Sequence, residues 1–228
     1  MPGLAAYAGV ARLIDVQPGA TIVVSSAAGA VGLVAAQVAK AMGAARVVGA
    51  TGSEEKVAFL QSCGIEAFNY RSKETGKRLE GEAAYKHYCT LLAEHCPDGI
   101  DGYFDNVGGQ FLDAVLLHGN EFCRVAVCGI ISTLDNTEAG DEGGWPCRNL
   151  TRVLPKQMRI EGFQARQHYD LFPEYTEKMS AWLKSGVVTY KESLLEGLPA
   201  LPQALLGMLA GGNVGKQLVQ LSADPSVQ

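Results

Sequence analysis

The sequence predicts an α/β fold built on a doubly wound parallel sheet. The first observation is an alternation of short β-branched runs with alanine-rich or amphipathic stretches along the first half of the chain. The second is a glycine-containing turn that joins the first such run, residues 21–25, to an alanine-rich helix at residues 32–40. Strands that are separated by helices pair in parallel through right-handed crossovers, which produces a sheet covered on both faces.

The remaining elements follow from local patterns. Gly43 stands where the first helix should end, and Ser53 is the expected N-cap of the second helix. Strands are predicted at residues 21–25, 46–50, 67–70, 102–105, 124–128, 159–163 and 216–221. Helices are predicted at residues 32–40, from residue 53 onward, and at 71–95, 172–184 and 202–209. Residues 135–149 are rich in Gly, Asp and Asn and predict a long mobile loop.

Composition and charge restrict the class of function. The chain of 228 residues is 47% hydrophobic and 19% charged, which is typical of a soluble globular protein. Its net charge of -5 provides no basic surface, so a nucleic-acid partner is not expected. No apolar run approaches the roughly 20 residues that span a bilayer, and residues 1–15 lack the pattern of a signal peptide. These features predict a cytoplasmic protein that does not enter membranes.

The cysteines and histidines give no metal motif. Six cysteines stand at positions 63, 89, 96, 123, 128 and 147 without a C-x-x-C pair, and the four histidines lack H-E-x-x-H spacing. Structural and catalytic zinc sites need three or four such ligands in characteristic spacings. We therefore expect reduced thiols and no metal site.

The glycine-containing turn predicts a dinucleotide cradle. Its pattern is Ala27-x-Gly29-x-x-Gly32, a G-x-G-x-x-G motif with alanine in the first position. Backbone N–H groups at a helix N-terminus stabilise a pyrophosphate, and small residues allow its close approach. The motif alone is weak, because glycines at a helix start also serve packing, but its place between a strand and an alanine-rich helix strengthens it.

The end of the second strand favours NADP over NAD. Proteins that bind NAD place Asp or Glu about 20 residues beyond the glycine motif, where the carboxylate binds the ribose 2′-hydroxyl. Here the segment 49–53, which includes Gly52, has no acidic residue. Lys56 follows one helical turn later, where its ammonium group would meet a 2′-phosphate. The sequence therefore predicts NADPH as the cofactor.

Several segments together resemble one enzyme family. They are MPGLAAY at 1–7, SSAAGAVG at 25–32, GSEEKVAFLQ at 52–61, FNY at 68–70, FDNVGG at 104–109, CGIIS at 128–132, RIEGF at 159–163 and GGNVGKQLV at 211–219. In this order they resemble the zinc-independent branch of the medium-chain dehydrogenase/reductase superfamily, which includes prostaglandin (leukotriene) reductases and plant alkenal double-bond reductases. The resemblance covers nearly the whole chain and implies a Rossmann sheet that binds NADPH.

The resemblance implies a role for each matching residue. Those at the pyrophosphate and adenosine half of the cofactor are Gly29, Ala30, Val31, Gly32, Gly52, Lys56 and Tyr70. Those at the nicotinamide half are Asn106, Cys128, Ile130, Ser132, Phe163 and Ala165, while Asn213 and Lys216 approach from the C-terminal segment. Asn106 and Cys128 lie at the carboxyl ends of predicted strands, where open α/β sheets bind ligands. A phenylalanine such as Phe163 more often belongs to the core.

The resemblance also divides the chain. Residues 1–192 would form the NADP-binding Rossmann domain, and residues 193–228 would return to a barrel-like catalytic domain that precedes Met1 in the family. The strand at 159–163 would continue the sheet across a homodimer. Family members carry a tyrosine five residues before the isoleucine of the RIEGF-like strand, where this chain has Pro155.

The implied reaction is NADPH-dependent reduction of the C=C bond of an α,β-unsaturated ketone or aldehyde. The cofactor carries the hydride, so the protein orients it and stabilises the charge that develops on the carbonyl oxygen. No acid catalyst is assigned, and Tyr70, acting through a ribose hydroxyl, is a weak candidate. Two alternatives stay open: an NADPH:quinone reductase of the neighbouring branch, and a catalytically silent NADPH-binding protein.

Overall fold

A six-stranded sheet forms the centre of the computed structural model, which describes residues 1–133 and 144–223. Its strands are β1 (Thr21–Ser25), β2 (Arg46–Thr51), β3 (Glu66–Asn69), β4 (Ile100–Asp105), β5 (Gly119–Val127) and β6 (Arg159–Gly162). They lie in the order β3-β2-β1-β4-β5-β6, and every neighbouring pair is parallel. The predicted doubly wound sheet is confirmed. Strand order reverses between β1 and β4, which is where such sheets form a ligand crevice.

Helices cover both faces of this sheet. They are α1 (Pro2–Ala8), α2 (Gly32–Ala41), α3 (Glu54–Ser62), α4 (Gly81–His95), α5 (Gly109–His118), α6 (Phe172–Ser185) and α7 (Leu201–Leu209). α1 continues directly into a π-helix, Gly9–Ile14. Short 3-10 helices lie at Ile131–Thr133, Arg148–Arg152, Ala165–Leu171 and Leu198–Ala200.

Two hydrophobic cores lie on opposite faces of the sheet. One is formed with α1, α2 and α3 and contains Tyr7, and the other is formed with α4 and α5 and contains Tyr88. β1 contributes to both, because Ile22 and Val24 enter the first core and Val23 enters the second. This explains why every residue of β1 is buried and why its centre, residues 22–24, is continuously apolar rather than alternating. None of the helices in the described part of the chain has the length and apolar character that a bilayer crossing requires.

A second, two-stranded sheet is built from the C-terminal part of the chain. Its strands β7 (Glu192–Glu196) and β8 (Lys216–Gln220) are parallel and are connected through α7. Gly215, next to β8, donates its N–H to the carbonyl of Ala28 at 2.7 Å, so this unit contacts the turn that follows β1. Its exposed leucines are Leu194, Leu198, Leu201, Leu205, Leu206, Leu209 and Leu221.

Some predicted elements are wrong in extent. The helix predicted at 71–95 occupies only Gly81–His95. Before it, Gly76 donates its N–H to the carbonyl oxygen of Ser72 at 2.8 Å, and its φ of 66° turns the chain away from a helical path. β5 begins at Gly119 rather than at residue 124 and ends before Cys128. The helices α1 and α5 and the strand β7 were not predicted.

The loop predicted at 135–149 falls largely on residues 134–143, which lie outside the described residues. Its last part is anchored on α5. The buried carboxylate of Asp113 accepts hydrogen bonds from Trp145 Nε1 at 2.9 Å and from the Asn149 backbone N–H at 2.7 Å. Residues 145–149 are therefore tied to the second core.

Candidate functional site

The turn between β1 and α2 forms a tight backbone cradle. Ser26 adopts a φ of 50°, a conformation that is uncommon for a residue with a side chain. Its carbonyl oxygen accepts the N–H of Gly29 at 2.9 Å. A Cβ on Gly32 would lie 2.4 Å from that same oxygen and 2.9 Å from the Cα of Ala27. The turn can therefore keep this shape only with glycine at position 32.

The N-terminus of α2 favours an anionic ligand. The helix begins at Gly32, and its N-cap residue Val31 makes no side-chain hydrogen bond to the first turn. The first N–H groups of a helix have no partner within the helix, and its dipole places partial positive charge there. No acidic side chain occupies the first turn of α2. The backbone geometry is that of a phosphate-binding helix start.

Two cavities meet at this turn. The Lys56 cavity, of about 310 Å³, extends from the turn past Gly52 and Lys56 to Tyr70. The Asn106 cavity, of about 400 Å³, extends from the turn to Asn106 and Ile130. The residues that line both are Ser26, Gly29, Ala30 and Ile131. The two cavities together provide room for an elongated ligand whose middle lies on the glycine turn.

The Lys56 cavity is lined by the first turn of α3 and by the C-terminal segment. Ser53 accepts the backbone N–H of Lys56 at 3.3 Å, which confirms the predicted N-cap. The ammonium of Lys56 donates to the carbonyl oxygen of Gly211 at 2.6 Å. Burial, followed by the nearby positive charge of Arg71, lowers the pKa of Lys56. Asn213 lines the same cavity, together with Lys216.

Gly52, which directly follows β2, lies close to the Tyr70 side chain. A Cβ at this position would lie 2.8 Å from the hydroxyl oxygen of Tyr70. The absence of a side chain on Gly52 therefore allows Tyr70 to approach the end of β2. The structure brings the predicted residues Gly52, Lys56 and Tyr70 together around one end of the Lys56 cavity.

Asn106 is held at the switch point between β1 and β4. Its backbone N–H donates to the Ser25 hydroxyl at 2.9 Å, and its side-chain Nδ2 donates to the Ser25 carbonyl at 2.7 Å. Since Ser25 ends β1, these bonds connect the ends of the two strands that border the crevice. Val31 and Gly32 share the Asn106 cavity with it.

Asp105, which ends β4, organises the turn that carries Asn106. Its carboxylate is fully buried and accepts hydrogen bonds from the Tyr103 hydroxyl at 2.7 Å and from the N–H groups of Val107 and Gly108 at 2.9 and 2.8 Å. Burial, only partly offset by these hydrogen bonds, raises the pKa of Asp105. The carboxylate thus fixes the backbone that positions Asn106.

Four predicted site residues lie outside both cavities: Cys128, Ser132, Phe163 and Ala165. Burial raises the pKa of the Cys128 thiol to about 11, and its side chain packs against the first core. Ser132 donates its hydroxyl to the carbonyl of Val107. Phe163 is buried against Phe104, and Ala165 begins a 3-10 helix. The contacts described for Cys128, Ser132 and Phe163 are thus made with other residues of the chain and away from the two cavities.

The sequence of this chain matches the model of a known family. The model of a family described as zinc-binding dehydrogenase matches residues 30–185, which is more than half of the chain. The chain belongs to the zinc-binding dehydrogenase family. The match includes the last three residues of the glycine turn, the helix α3 that carries Lys56 and the strand that precedes Asn106.

Curated relatives of this chain support the predicted resemblance. The chain is 42% identical over 228 residues to a 2-alkenal reductase (NADP(+)-dependent) of Nicotiana tabacum, a match that covers 98% of this chain and 61% of the relative. It is 42% identical over 222 residues to prostaglandin reductase 1 of Mus musculus, a match that covers 96% of this chain and 62% of that protein. The predicted place in the medium-chain dehydrogenase/reductase superfamily is confirmed. The chain spans less than two thirds of the length of these relatives.

A solved structure shows the same architecture. CurA from Vibrio vulnificus in complex with NADPH superposes with a TM-score of 0.85 at 33% identity, over 98% of this chain and 63% of that one. The similarity therefore extends to nearly all of this chain, including the two-stranded C-terminal sheet.

Zinc, which the family name implies, does not fit the described residues of this chain. Within residues 1–133 and 144–223, no group of three or more His, Cys, Asp or Glu side chains lies close enough to hold a metal ion. A zinc site needs at least three such ligands around one point.

The sequence analysis missed several residues of the candidate site. They include Ser26, Arg78, Tyr88, Val107, Phe111, Gly129 and Ile131, all of which line one or both cavities. Ser26, Val107 and Gly129 lie within two residues of a strand's carboxyl end, which is a signal that could have identified them. Tyr88 and Phe111 reach the Lys56 cavity from helices of the second core, and no local pattern marks them.

Proposed function

We propose that this chain is the NADPH-binding domain of an oxidoreductase that transfers hydride to the C=C bond of α,β-unsaturated ketones or aldehydes. The cofactor assignment rests on the pair of cavities that meet at the glycine turn. Lys56 lines one of these cavities, and no acidic residue follows the end of β2 in segment 49–53. The names of the tobacco and mouse relatives support the reaction class. The CurA complex supports the cofactor.

The residues of this chain would hold the two halves of the cofactor separately. Gly29 and Gly32 admit the pyrophosphate to the start of α2, and Lys56 neutralises the 2′-phosphate. Asn106, fixed by Ser25, faces the nicotinamide ribose. The bound cofactor would supply a hydride to the β-carbon of the substrate. Tyr70 shares the Lys56 cavity and not the Asn106 cavity, so we assign it to the ribose and phosphate end rather than to proton transfer.

The wider assembly is also a proposal. We infer a zinc-independent, cytoplasmic reductase whose residues 1–192 bind NADPH and whose residues 193–228 contact a separate catalytic domain. The exposed leucines of β7, α7 and their surroundings supply an apolar surface for that contact. β6 is an edge strand of the large sheet, and pairing with the β6 of a second copy would form a homodimer and cover that edge.

The cofactor assignment is tested by thermal unfolding with NADPH and with NADH. A ligand at one hundred times its Kd stabilises the folded state by about 2.7 kcal/mol, which corresponds to a rise in Tm of about 5–10 °C for a chain of this size. We expect such a rise with NADPH and much less with the same concentration of NADH. Lys56→Met should remove most of the difference between the NADPH and NADH responses. Equal responses of the unmodified chain to both cofactors would contradict the proposal.

The reaction class is tested by the oxidation of NADPH with a trans-2-alkenal or with benzoquinone as acceptor. We expect turnover of the alkenal to be weak for this chain alone, because much of the substrate cleft in our proposal comes from the separate catalytic domain. Full alkenal turnover would show that this domain is dispensable. Faster reduction of benzoquinone than of the alkenal would favour the quinone reductase alternative.

A further inference from the structure

Arg71 lies beside Lys56 and has no role in the cofactor site described so far. It follows β3 by two residues, and its backbone N–H donates to the Asn69 Oδ1 at 3.0 Å. Asn69 in turn donates its Nδ2 to the Glu54 carboxylate at 2.9 Å. Glu54 is the first residue of α3, the helix that carries Lys56. The start of the Arg71 side chain is therefore fixed relative to Lys56.

The guanidinium of Arg71 reaches the same short segments of backbone as Lys56. Its Nε lies 3.4 Å from the point where a Cβ on Gly52 would stand, and its Nη2 lies 3.9 Å from the equivalent point on Gly211. The ammonium of Lys56 contacts the carbonyl of Gly211. Lys56 and Arg71 thus both approach the backbone at Gly52 and Gly211. Gly52, Gly211 and Lys56 line the Lys56 cavity, and Arg71 stands next to the two glycines without being part of that lining.

Among the described residues, 1–133 and 144–223, neither cation is in a salt bridge, although Glu55 lies close enough to Lys56 to offset part of its charge. The Nε of Arg71 is buried and has no hydrogen-bond partner, which costs free energy in the absence of a ligand. The positive charge of Arg71 also helps to lower the pKa of Lys56. A dianion between the two groups would relieve both the repulsion and the unpaired donor.

We propose that Arg71 is a second specificity-determining residue for the 2′-phosphate of NADPH, acting together with Lys56. This inference rests on the proposed cofactor function. Arginine presents several N–H donors in a fixed plane, which match the oxygens of a phosphate group, whereas lysine supplies a point charge. Lys56 and Arg71 would contact the phosphate from the α3 side and the β3 side of Gly52.

Binding of two small nucleotides isolates the 2′-phosphate. The probes are 2′,5′-ADP, which carries the 2′-phosphate, and 5′-AMP, which does not, measured by calorimetry against the full chain. Loss of a charge-assisted hydrogen bond to phosphate weakens binding by about 10- to 100-fold. We expect Arg71→Met to raise the Kd of 2′,5′-ADP by such a factor and to leave 5′-AMP within about twofold.

Lys73→Met is the matched control, since it removes the same charge from an exposed position in the same loop. It should leave the Kd of both nucleotides nearly unchanged. Arg71→Lys retains the charge without the planar donors and should lose several-fold in affinity for 2′,5′-ADP only. This variant also serves if Arg71→Met does not fold. Thermal unfolding of each variant without ligand separates lost binding from lost stability.

The outcomes distinguish this inference from the proposed function. If the unmodified chain prefers 2′,5′-ADP over 5′-AMP and both Arg71 variants retain that preference, Arg71 does not determine specificity. If the unmodified chain binds the two nucleotides equally, the proposed NADPH function itself is wrong. If Lys73→Met lost as much affinity for 2′,5′-ADP as Arg71→Met, the effect would come from the overall charge of the chain, and this result would also overturn the role of Arg71.

Discussion

Gly32→Ala is expected to abolish NADPH binding and to lower the free energy of unfolding by about 3 kcal/mol. The new Cβ would stand 2.4 Å from the Ser26 carbonyl oxygen and 2.9 Å from the Cα of Ala27. Both neighbours are backbone atoms of a turn in which Ser26 already has a positive φ, so they cannot move away as a flexible side chain could. Urea denaturation measures the stability change, and the NADPH-induced rise in Tm measures binding.

Gly207→Ala provides the matched control for this substitution. Gly207 lies within α7, and a Cβ there would meet no atom within 4 Å. Alanine is more favourable than glycine in a helix by up to about 1 kcal/mol, so this variant should be slightly more stable than the original chain and should bind NADPH normally. Normal NADPH binding by Gly32→Ala would show that the turn does not have the shape described.

Asp105→Ala is expected to cost about 4 kcal/mol of stability and to weaken NADPH binding. It removes the acceptor for the Tyr103 hydroxyl and for the N–H groups of Val107 and Gly108. Unpaired buried donors cost about 1–3 kcal/mol each. Once the turn after β4 is released, Asn106 loses its defined position. Equilibrium unfolding in urea and NADPH titration measure the two effects, and an unaltered midpoint would contradict the role of Asp105.

Asp105→Asn separates the charge of this group from its hydrogen bonds. Burial raises the pKa of Asp105 in the folded chain above the value of about 3.9 that an aspartate has when unfolded. A carboxyl with a raised folded pKa contributes its stability below the unfolded value and loses it as the pH rises through the folded pKa. The free energy of unfolding of Asp105→Asn should therefore increase relative to the original chain as the pH is raised from about 4. A decrease in this difference as the pH is raised would show that the hydrogen bonds from Tyr103, Val107 and Gly108 stabilise the charged carboxylate more than burial destabilises it.

The parts of the site that sequence could predict are those in which one short segment contains the whole signal. Gly29 and Gly32 follow a strand and open a helix, so their place is set by local geometry. Lys56 is fixed by the N-cap at Ser53 three residues earlier. Asn106 follows a strand whose position in the sheet could be inferred from the alternation of elements.

The rest depends on contacts between distant segments. The guanidinium of Arg71 reaches Gly52 and Gly211 because residues 72–77 form a turn, whereas the predicted helix at 71–95 would have given it a different direction. The carboxylate of Asp113 accepts a hydrogen bond from Trp145, which lies 32 residues away in the sequence. No periodic pattern of residues predicts a contact between two such distant positions. Phe163 was assigned through the resemblance alone, and Cys128 through the resemblance and its place at the carboxyl end of a predicted strand. The side chains of both pack against the first core instead of lining either cavity.

The hydrogen bond from Gly215 to Ala28 joins segments from opposite ends of the chain. Closing so long a loop has a large entropic cost, so we expect this contact to form late in folding, after the six-stranded sheet. Local openings of a native protein follow the least stable contacts, which here are those of the half-exposed C-terminal segment. Residues 208–217 form the outer wall of the Lys56 cavity. The rate at which a nucleotide enters and leaves would then be set by transient detachment of this wall, while the sheet and the glycine turn stay intact.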